Sequence, residues 1–287
     1  MKRQKGTDKM KKLVSTLLSL AVAAGLGTSV ALAAGDSEYA KAPREQDWSF
    51  SGPFGLYDKG QLQRGMKVYI EVCAACHGLD RIAFRNFTEL GYSEDQIKTL
   101  AAEYEVTDGP NEEGEMFERP AILADYFPNP FPNAEAAAYA NNGAAPPDLS
   151  LIAKARAATR GFPQFVFDIF TMYTEGGPDY LYSLLTGYQE PPQGVEITEG
   201  TYYNPYFLNG ISLAMAPPLF DEMVTYDDGA PETVDQYSKD VSAFLMWAAE
   251  PKLEERKSLG FKVMIFILIF CGLLYLSKKS VWSRVEH

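Results

Sequence analysis

Apolar positions along this chain fall into three rhythms. Near the N-terminus a basic stretch (Lys2, Arg3, Lys5, Lys9, Lys11, Lys12) gives way to a mostly apolar run from Leu13 to Leu32. Near the C-terminus a second apolar run extends from Gly260 through Leu276, broken only by Lys262. Between them the pattern is helical in patches. Leu62, Met66, Tyr69, Ile70 and Cys73 recur at i, i+4, i+7, i+8 and i+11, one face of a helix that leads directly into Cys73. Ser93 with Gln96 three residues on is a capping-box arrangement and predicts a helix over 94–105. Thr233 with Gln236 predicts another, running through Val241, Phe244, Leu245 and Ala248 to a limit at Pro251. Residues 106–147, with prolines at 128, 130, 132, 146 and 147, read as loop, after which Asp148 is expected to cap a helix through Leu151, Ile152 and Arg156. The stretch 187–218 is again turn-rich, with short strands expected around Tyr202 and Tyr203. The expected fold class is mainly α, one domain with long loop insertions around a single site, plus one C-terminal transmembrane helix.

The two ends carry targeting information. The first run closes on Ala31-Leu32-Ala33, the small-x-small pattern of a signal-peptidase site, so residues 1–33 read as a signal peptide, with an uncleaved anchor as the competing reading. Met10 would serve as an alternative start, because Lys11 and Lys12 alone supply a basic region. The C-terminal run is short for a span between Val263 and Leu276, but Lys262 can snorkel and Leu259 and Phe261 lengthen it toward the ~20 residues a bilayer requires. Tyr275 and Trp282 sit at interfacial positions, with Lys278, Lys279 and Arg284 beyond. The expected organisation is an exported domain over 34–256, a transmembrane anchor over 257–279 and a cytoplasmic tail over 280–287. The signal sets that orientation, since basic residues flank the span in similar number on both sides.

Removing the ends changes the charge picture. Residues 34–261 hold 16 Lys and Arg against 36 Asp and Glu, a net of −20. Such a surface argues against nucleic acid or an anionic membrane surface and favours cationic partners, although solubility alone is an equal explanation.

Cys73-Ala74-Ala75-Cys76-His77 is the strongest chemical signal. In C-x-x-C-H the two thiols add to the two vinyl groups of a haem, and the neighbouring imidazole reaches the iron. A thioredoxin-like pair would need a βαβ setting, which the pattern lacks. A zinc site would need about four ligands, and the exported region has no further Cys or His. A disulfide closing so small a loop would stabilise little. The motif occurs once, which predicts one covalently bound haem c.

The opposite axial ligand must come from elsewhere in the chain. His287 falls beyond the span, and a methionine thioether is the usual partner of a His-ligated haem. Six methionines lie in the exported region, at 66, 116, 172, 215, 223 and 246. Met66 and Met246 sit on the helices above and read as core packing. Met215 is favoured because Ala216-Pro217-Pro218 follows, and two prolines can hold a ligand-bearing loop at small entropy cost. An iron ligated on both sides moves electrons and admits no substrate, so no catalytic residue is assigned.

The chain resembles the cytochrome c1 family, the haem subunits of quinol–cytochrome c oxidoreductase (bc1) complexes, over nearly all of residues 48–287. The matching segments include Trp48-Ser49-Phe50, Gly52-Pro53-Phe54-Gly55, Gln63-Arg64-Gly65 leading to the haem motif, and Ala140-Asn141-Asn142-Gly143-Ala144. Further on come Pro146-Pro147-Asp148-Leu149-Ser150, Tyr182 through Tyr188, Met215-Ala216-Pro217-Pro218-Leu219 and Trp247 through Lys252. The resemblance implies Met215 as axial ligand and Arg156 as a hydrogen-bond donor to a haem propionate. Tyr180, Asn141, Pro146 and Pro147 match pocket-lining positions, and a carbonyl near Pro146 is expected to accept the His77 Nδ1 proton. It also implies cytochrome b and a Rieske iron–sulfur protein as partner subunits, a soluble c-type cytochrome as acceptor, and a bacterial inner membrane with the haem domain in the periplasm. Two departures stand out. Residues 157–176 are an extra stretch relative to the mitochondrial pattern, and the second cysteine pair of some bacterial relatives is missing, Cys271 lying in the apolar run. A free-standing membrane-tethered shuttle cytochrome is the rival reading, and an open-haem peroxidase a third.

Overall fold

The structure, a computed structural model, describes residues 39–157, 160–171 and 173–284. The signal-peptide expectation, Met172 and His287 lie outside the described residues. Helices dominate: α1 (Lys59–Glu71), α2 (Glu94–Ala101), α3 (Ala134–Ala140), α4 (Ile152–Ala155), α5 (Gln164–Thr171), α6 (Gly176–Leu185), α7 (Val234–Ala249) and α8 (Leu253–Val281). Beside them lie two small antiparallel sheets, β1 (Glu105–Asp108) with β2 (Phe117–Pro120), and β3 (Tyr202–Tyr203) with β4 (Ser212–Leu213), and short 3₁₀ helices such as Phe84–Leu90.

The core is a crossing of α1 on α7. Gly65 makes it possible, because a Cβ there would lie 2.1 Å from the Asp240 carbonyl oxygen and 2.6 Å from the Phe244 Cβ. Around the crossing Tyr69, Phe84, Phe87, Tyr104, Phe127, Phe244 and Trp247 pack ring against ring, with centroids 4.9–6.4 Å apart. Aromatic pairs at such distances add to the area they bury. Arg64 reaches across from α1 to the wholly buried Asp240 carboxylate, Nε to Oδ2 2.9 Å, which keeps that charge paired. A second close approach joins α6 to α4, where a Cβ on Gly177 would lie 1.5 Å from the Ala153 carbonyl oxygen.

Ser93 and Gln96 form the reciprocal capping box, but α2 stops at Ala101 because residues 105–108 leave to pair as β1. Thr233 caps α7 by accepting from the Gln236 N–H, whereas the Gln236 side chain donates to Asp240 instead of returning to the cap. The region read as loop between 106 and 147 also contains the β1–β2 hairpin and α3, the latter capped by the Asn133 side chain. Asp148 does not cap α4. Its carboxylate accepts the backbone N–H of Ser150 at 2.9 Å and of Asp80 at 2.8 Å, tying two distant segments together.

α8 is the membrane helix. Its apolar window has mean hydropathy 2.4 and none of it is buried against the rest of the chain. Its N-terminal turns join the domain, through buried Leu253 and Lys257 and through Phe261, whose ring packs on Phe54. The Glu250 carboxylate secures that junction by pairing with Lys154 of α4 and Arg256 of α8. Burial works to raise the Glu250 carboxyl, and the two cations outweigh it, holding it below the usual carboxylate range.

Candidate haem-binding site

The haem motif begins where α1 ends. Val72 closes the helix, and Cys73–Ala75 tighten into a 3₁₀ turn in which the Cys76 and His77 N–H groups both donate to the Cys73 carbonyl, at 3.1 and 2.9 Å. Both thiols and the imidazole therefore leave the backbone from one turn. The Tyr69 hydroxyl, one helical turn upstream, donates to the His77 carbonyl at 3.0 Å and pins that backbone.

The imidazole is fixed from the other side. Nδ1 of His77 donates to the Pro147 carbonyl oxygen at 2.8 Å. The acceptor expected near Pro146 is thus the carbonyl of the next proline. Three further bonds hold it there: Leu149 N–H to the Gly78 carbonyl at 2.9 Å, Asp80 N–H to the Asp148 carboxylate, and Arg81 N–H to the Ser150 hydroxyl at 3.1 Å. With Nδ1 carrying the proton, Nε2 keeps its lone pair for a metal. Burial lowers the imidazole pKa, against the raising effects of the Pro147 carbonyl and the Asp148 carboxylate. Burial, and secondarily Cys76, pushes the Cys73 thiol up to about 12. Both sheets among the described residues are antiparallel pairs, so the βαβ setting of a thioredoxin-like thiol pair is not found there.

Met215 lies just after β4, half-buried and packed on the edge of the core. The Tyr188 hydroxyl donates to its carbonyl at 3.1 Å. The β3–β4 segment that precedes it hangs on buried Asn204, whose Nδ2 donates to the Leu184 carbonyl at the end of α6 at 2.8 Å. The other described methionines ahead of the membrane helix sort differently. Met66 and Met246 are buried inside the α1–α7 core, and Met116 and Met223 are exposed on the surface.

Arg156 closes α4, half-buried, with no carboxylate in ion-pair contact among the described residues. Tyr180 is buried on α6, where burial raises its phenol while the Leu208 backbone and the Arg156 cation act to lower it. Tyr180 is also within electrostatic reach of Tyr188, so Arg156, Tyr180, Tyr188 and Met215 form one neighbourhood. Asn141 closes α3, and its side-chain amide donates to the Ala137 carbonyl at 2.8 Å, bracing its own helix end. Pro146 is half-buried one residue before the imidazole's acceptor. Tyr69 and Tyr188 are the site residues that sequence patterns left without a role. Each acts through its hydroxyl on a backbone carbonyl, an interaction that leaves no mark in spacing.

The model of the cytochrome c1 family matches residues 48–285. The chain belongs to the cytochrome c1 family. It is 55% identical, over 95% of its length, to a protein of Bradyrhizobium diazoefficiens named cytochrome b/c1, of which it spans only 40%. It is 46% identical to cytochrome c1 of Rhodospirillum rubrum, covering 93% of this chain and 97% of that one. Mitochondrial cytochrome c1 of Saccharomyces cerevisiae is 46% identical over 83% of this chain and 72% of its own. Membership in the cytochrome c1 family makes the chain a haem c-bearing electron-transfer subunit of a bc1 complex, and α8 anchors it in the membrane. The residues present fit that group. Two thiols and a pre-oriented imidazole leave one turn, and a half-buried arginine has no carboxylate in ion-pair contact among the described residues, which suits it to a propionate.

Proposed function

We propose that this chain carries one covalently bound haem c, attached through Cys73 and Cys76, with His77 and Met215 as axial ligands of the iron. One-electron exchange is the chemistry such a group supplies when bound. Arg156 would donate to a propionate, Tyr180 and Pro146 would line the pocket, and the Pro147 carbonyl would keep His77 in the required tautomer. Asn141 would line the pocket as well, its side-chain amide bracing the end of α3. The observation that carries the reading is the His77 Nδ1–Pro147 bond, which leaves one imidazole nitrogen free beside two thiols on the same turn.

In this role the chain takes electrons from a Rieske iron–sulfur protein and passes them to a soluble c-type cytochrome. Residues 1–33 act as a signal peptide, 34–256 form a periplasmic domain, 257–279 cross a bacterial inner membrane and 280–287 remain cytoplasmic. α8 packs beside cytochrome b, a pairing supported by the longer relative whose name joins cytochrome b and c1. The test is purification from membranes in mild detergent with haem counted per chain. Co-migration with cytochrome b and a Rieske protein, at one haem per copy of this chain, is the expected result. A lone haem protein would instead identify a tethered shuttle and remove the complex from the proposal.

A further inference from the structure

The turn that carries Pro53, Phe54 and Leu56 lies against the start of the membrane helix, on one face of it. Phe54 stacks edge-on against Phe261 with ring centroids 5.6 Å apart. The Lys257 ammonium donates to the Phe50 and Gly55 carbonyls, and the Tyr57 N–H donates to the Glu254 carboxylate at 2.8 Å. The turn is therefore bolted to α8 at both ends. It is also tight, since a Cβ on Gly55 would lie 2.2 Å from the Ser51 carbonyl oxygen.

Held this rigidly, the turn still exposes its apolar side chains. Phe54 is 72% exposed, Leu56 59% and Phe261 54%. With Lys262 they border a cleft of about 240 Å³. Lys262 has no carboxylate in contact among the described residues. The level of this cleft relative to the bilayer follows from helix length. At about 1.5 Å per residue, the uninterrupted stretch from Val263 to Leu276 spans only roughly 21 Å, against ~30 Å of hydrocarbon. The apolar layer must therefore reach up past Lys262 to Phe261 and Leu259, and so to the side chains stacked on Phe261. Aromatic rings and a snorkelling lysine are the groups that a membrane interface favours.

We infer that the Pro53–Leu56 turn is a second membrane contact of this chain, in which a phospholipid lies along Phe54, Leu56 and Phe261 with its phosphate against Lys262. The surface is continuous with the membrane helix, and of the charged groups lining the cleft Lys257 and Glu254 are engaged by the turn's backbone, which leaves Lys262 to match an anionic headgroup. The inference rests on the anchoring by α8 and is independent of the haem ligation and redox partners proposed above.

The test uses the full chain in its native assembly, purified and placed in nanodiscs of phosphatidylcholine with or without phosphatidylglycerol. A nitroxide is attached through Phe54→Cys in a Cys271→Ser background, with Leu56→Cys as a second position. Tyr139→Cys, on the 93% exposed Tyr139 of α3, serves as the aqueous control. Collision with oxygen should exceed collision with a polar nickel chelate several-fold more at 54 and 56 than at 139. Lys262→Gln should abolish the added immersion that phosphatidylglycerol produces. A label at 54 as open to the chelate as the control would overturn the inference. So would a label shielded from both reagents, since protein would then cover the turn.

Discussion

The Tyr188 hydroxyl donates to the Met215 carbonyl, and it is the one side-chain hydrogen bond that ties the Met215 backbone to the domain among the described residues. Tyr188→Phe removes that donor and keeps the ring, so stability should fall by about 1 kcal/mol, the worth of a typical hydrogen bond. If Met215 ligates the iron, a loosened loop should also lower the reduction potential, since a bound thioether raises it. Met215→Leu is the sharper case. Its volume is nearly conserved and its packing cost small, about 1.5 kcal/mol at most, yet it should shift the visible spectrum, lower the potential and let the reduced iron bind carbon monoxide. An unchanged spectrum would remove Met215 from the iron.

Gly65 sits where α1 crosses α7, and the space for a methyl group there is already filled by backbone. Gly65→Ala should force the two helices apart and cost about 1–3 kcal/mol or more, as overpacking does. Thermal unfolding by far-UV circular dichroism measures it. An equal melting temperature would mean that the crossing is looser than the Gly65–Asp240 approach indicates.

Much of this fold is legible along the chain because its helices announce themselves. The apolar face of α1, the Ser93 capping box and the Thr233 cap all lie where local pattern puts them. The β1–β2 hairpin does not, since its strands are short, half-exposed and charged, with no apolar alternation to detect. α3 is hidden by the prolines just before it, although Asn133 gives the cap away in retrospect. Asp148 misleads for a physical reason. An acidic residue ahead of an apolar run suits a helix cap, but the fold brings Asp80 within reach and the carboxylate is used between segments. The haem motif is local and therefore readable. The contacts that orient it, Tyr69 on its carbonyl apart, come from residue 147 and its neighbours, which only the folded chain brings close.

Asp179 is buried, and its carboxylate accepts from Trp48 Nε1 at 2.8 Å, the Gln46 N–H at 2.9 Å and the Tyr173 hydroxyl at 2.6 Å. Burial raises its pKa above the ordinary carboxylate value despite those three donors. The folded state then binds this proton more readily than the unfolded state does. Asp179 therefore becomes a liability as pH rises from the ordinary carboxylate range through its folded value, and remains one above it. Asp179→Asn keeps an acceptor for Trp48 and Gln46 without the charge. The difference in unfolding free energy, wild type minus variant, should decline across that window and then level off. Parallel curves would show that the three donors compensate the burial in full.

The acidic surface is uneven in what it can offer a cationic partner. Glu112, Glu113 and Glu115 crowd the exposed tip of the β1–β2 hairpin with no lysine or arginine in ion-pair contact among the described residues. Asp228, by contrast, is paired with Arg64 at 2.5 Å, and Asp227 lies 3.6 Å from Lys67. Exposed, unpaired charges steer diffusional encounter, whereas paired ones are largely cancelled at a distance. With a basic c-type cytochrome as acceptor, the second-order rate of electron transfer should fall steeply as ionic strength rises past the point where the Debye length drops to about 10 Å. Neutralising the hairpin tip with Glu112→Gln, Glu113→Gln and Glu115→Gln should lower the low-salt rate severalfold and flatten that dependence. Asp228→Asn should change the rate little, while costing stability by leaving Arg64 with Asp240 alone. Stopped-flow mixing over a salt series separates the two variants. Should the triple variant track the wild type at every ionic strength, the hairpin tip lies outside the encounter surface.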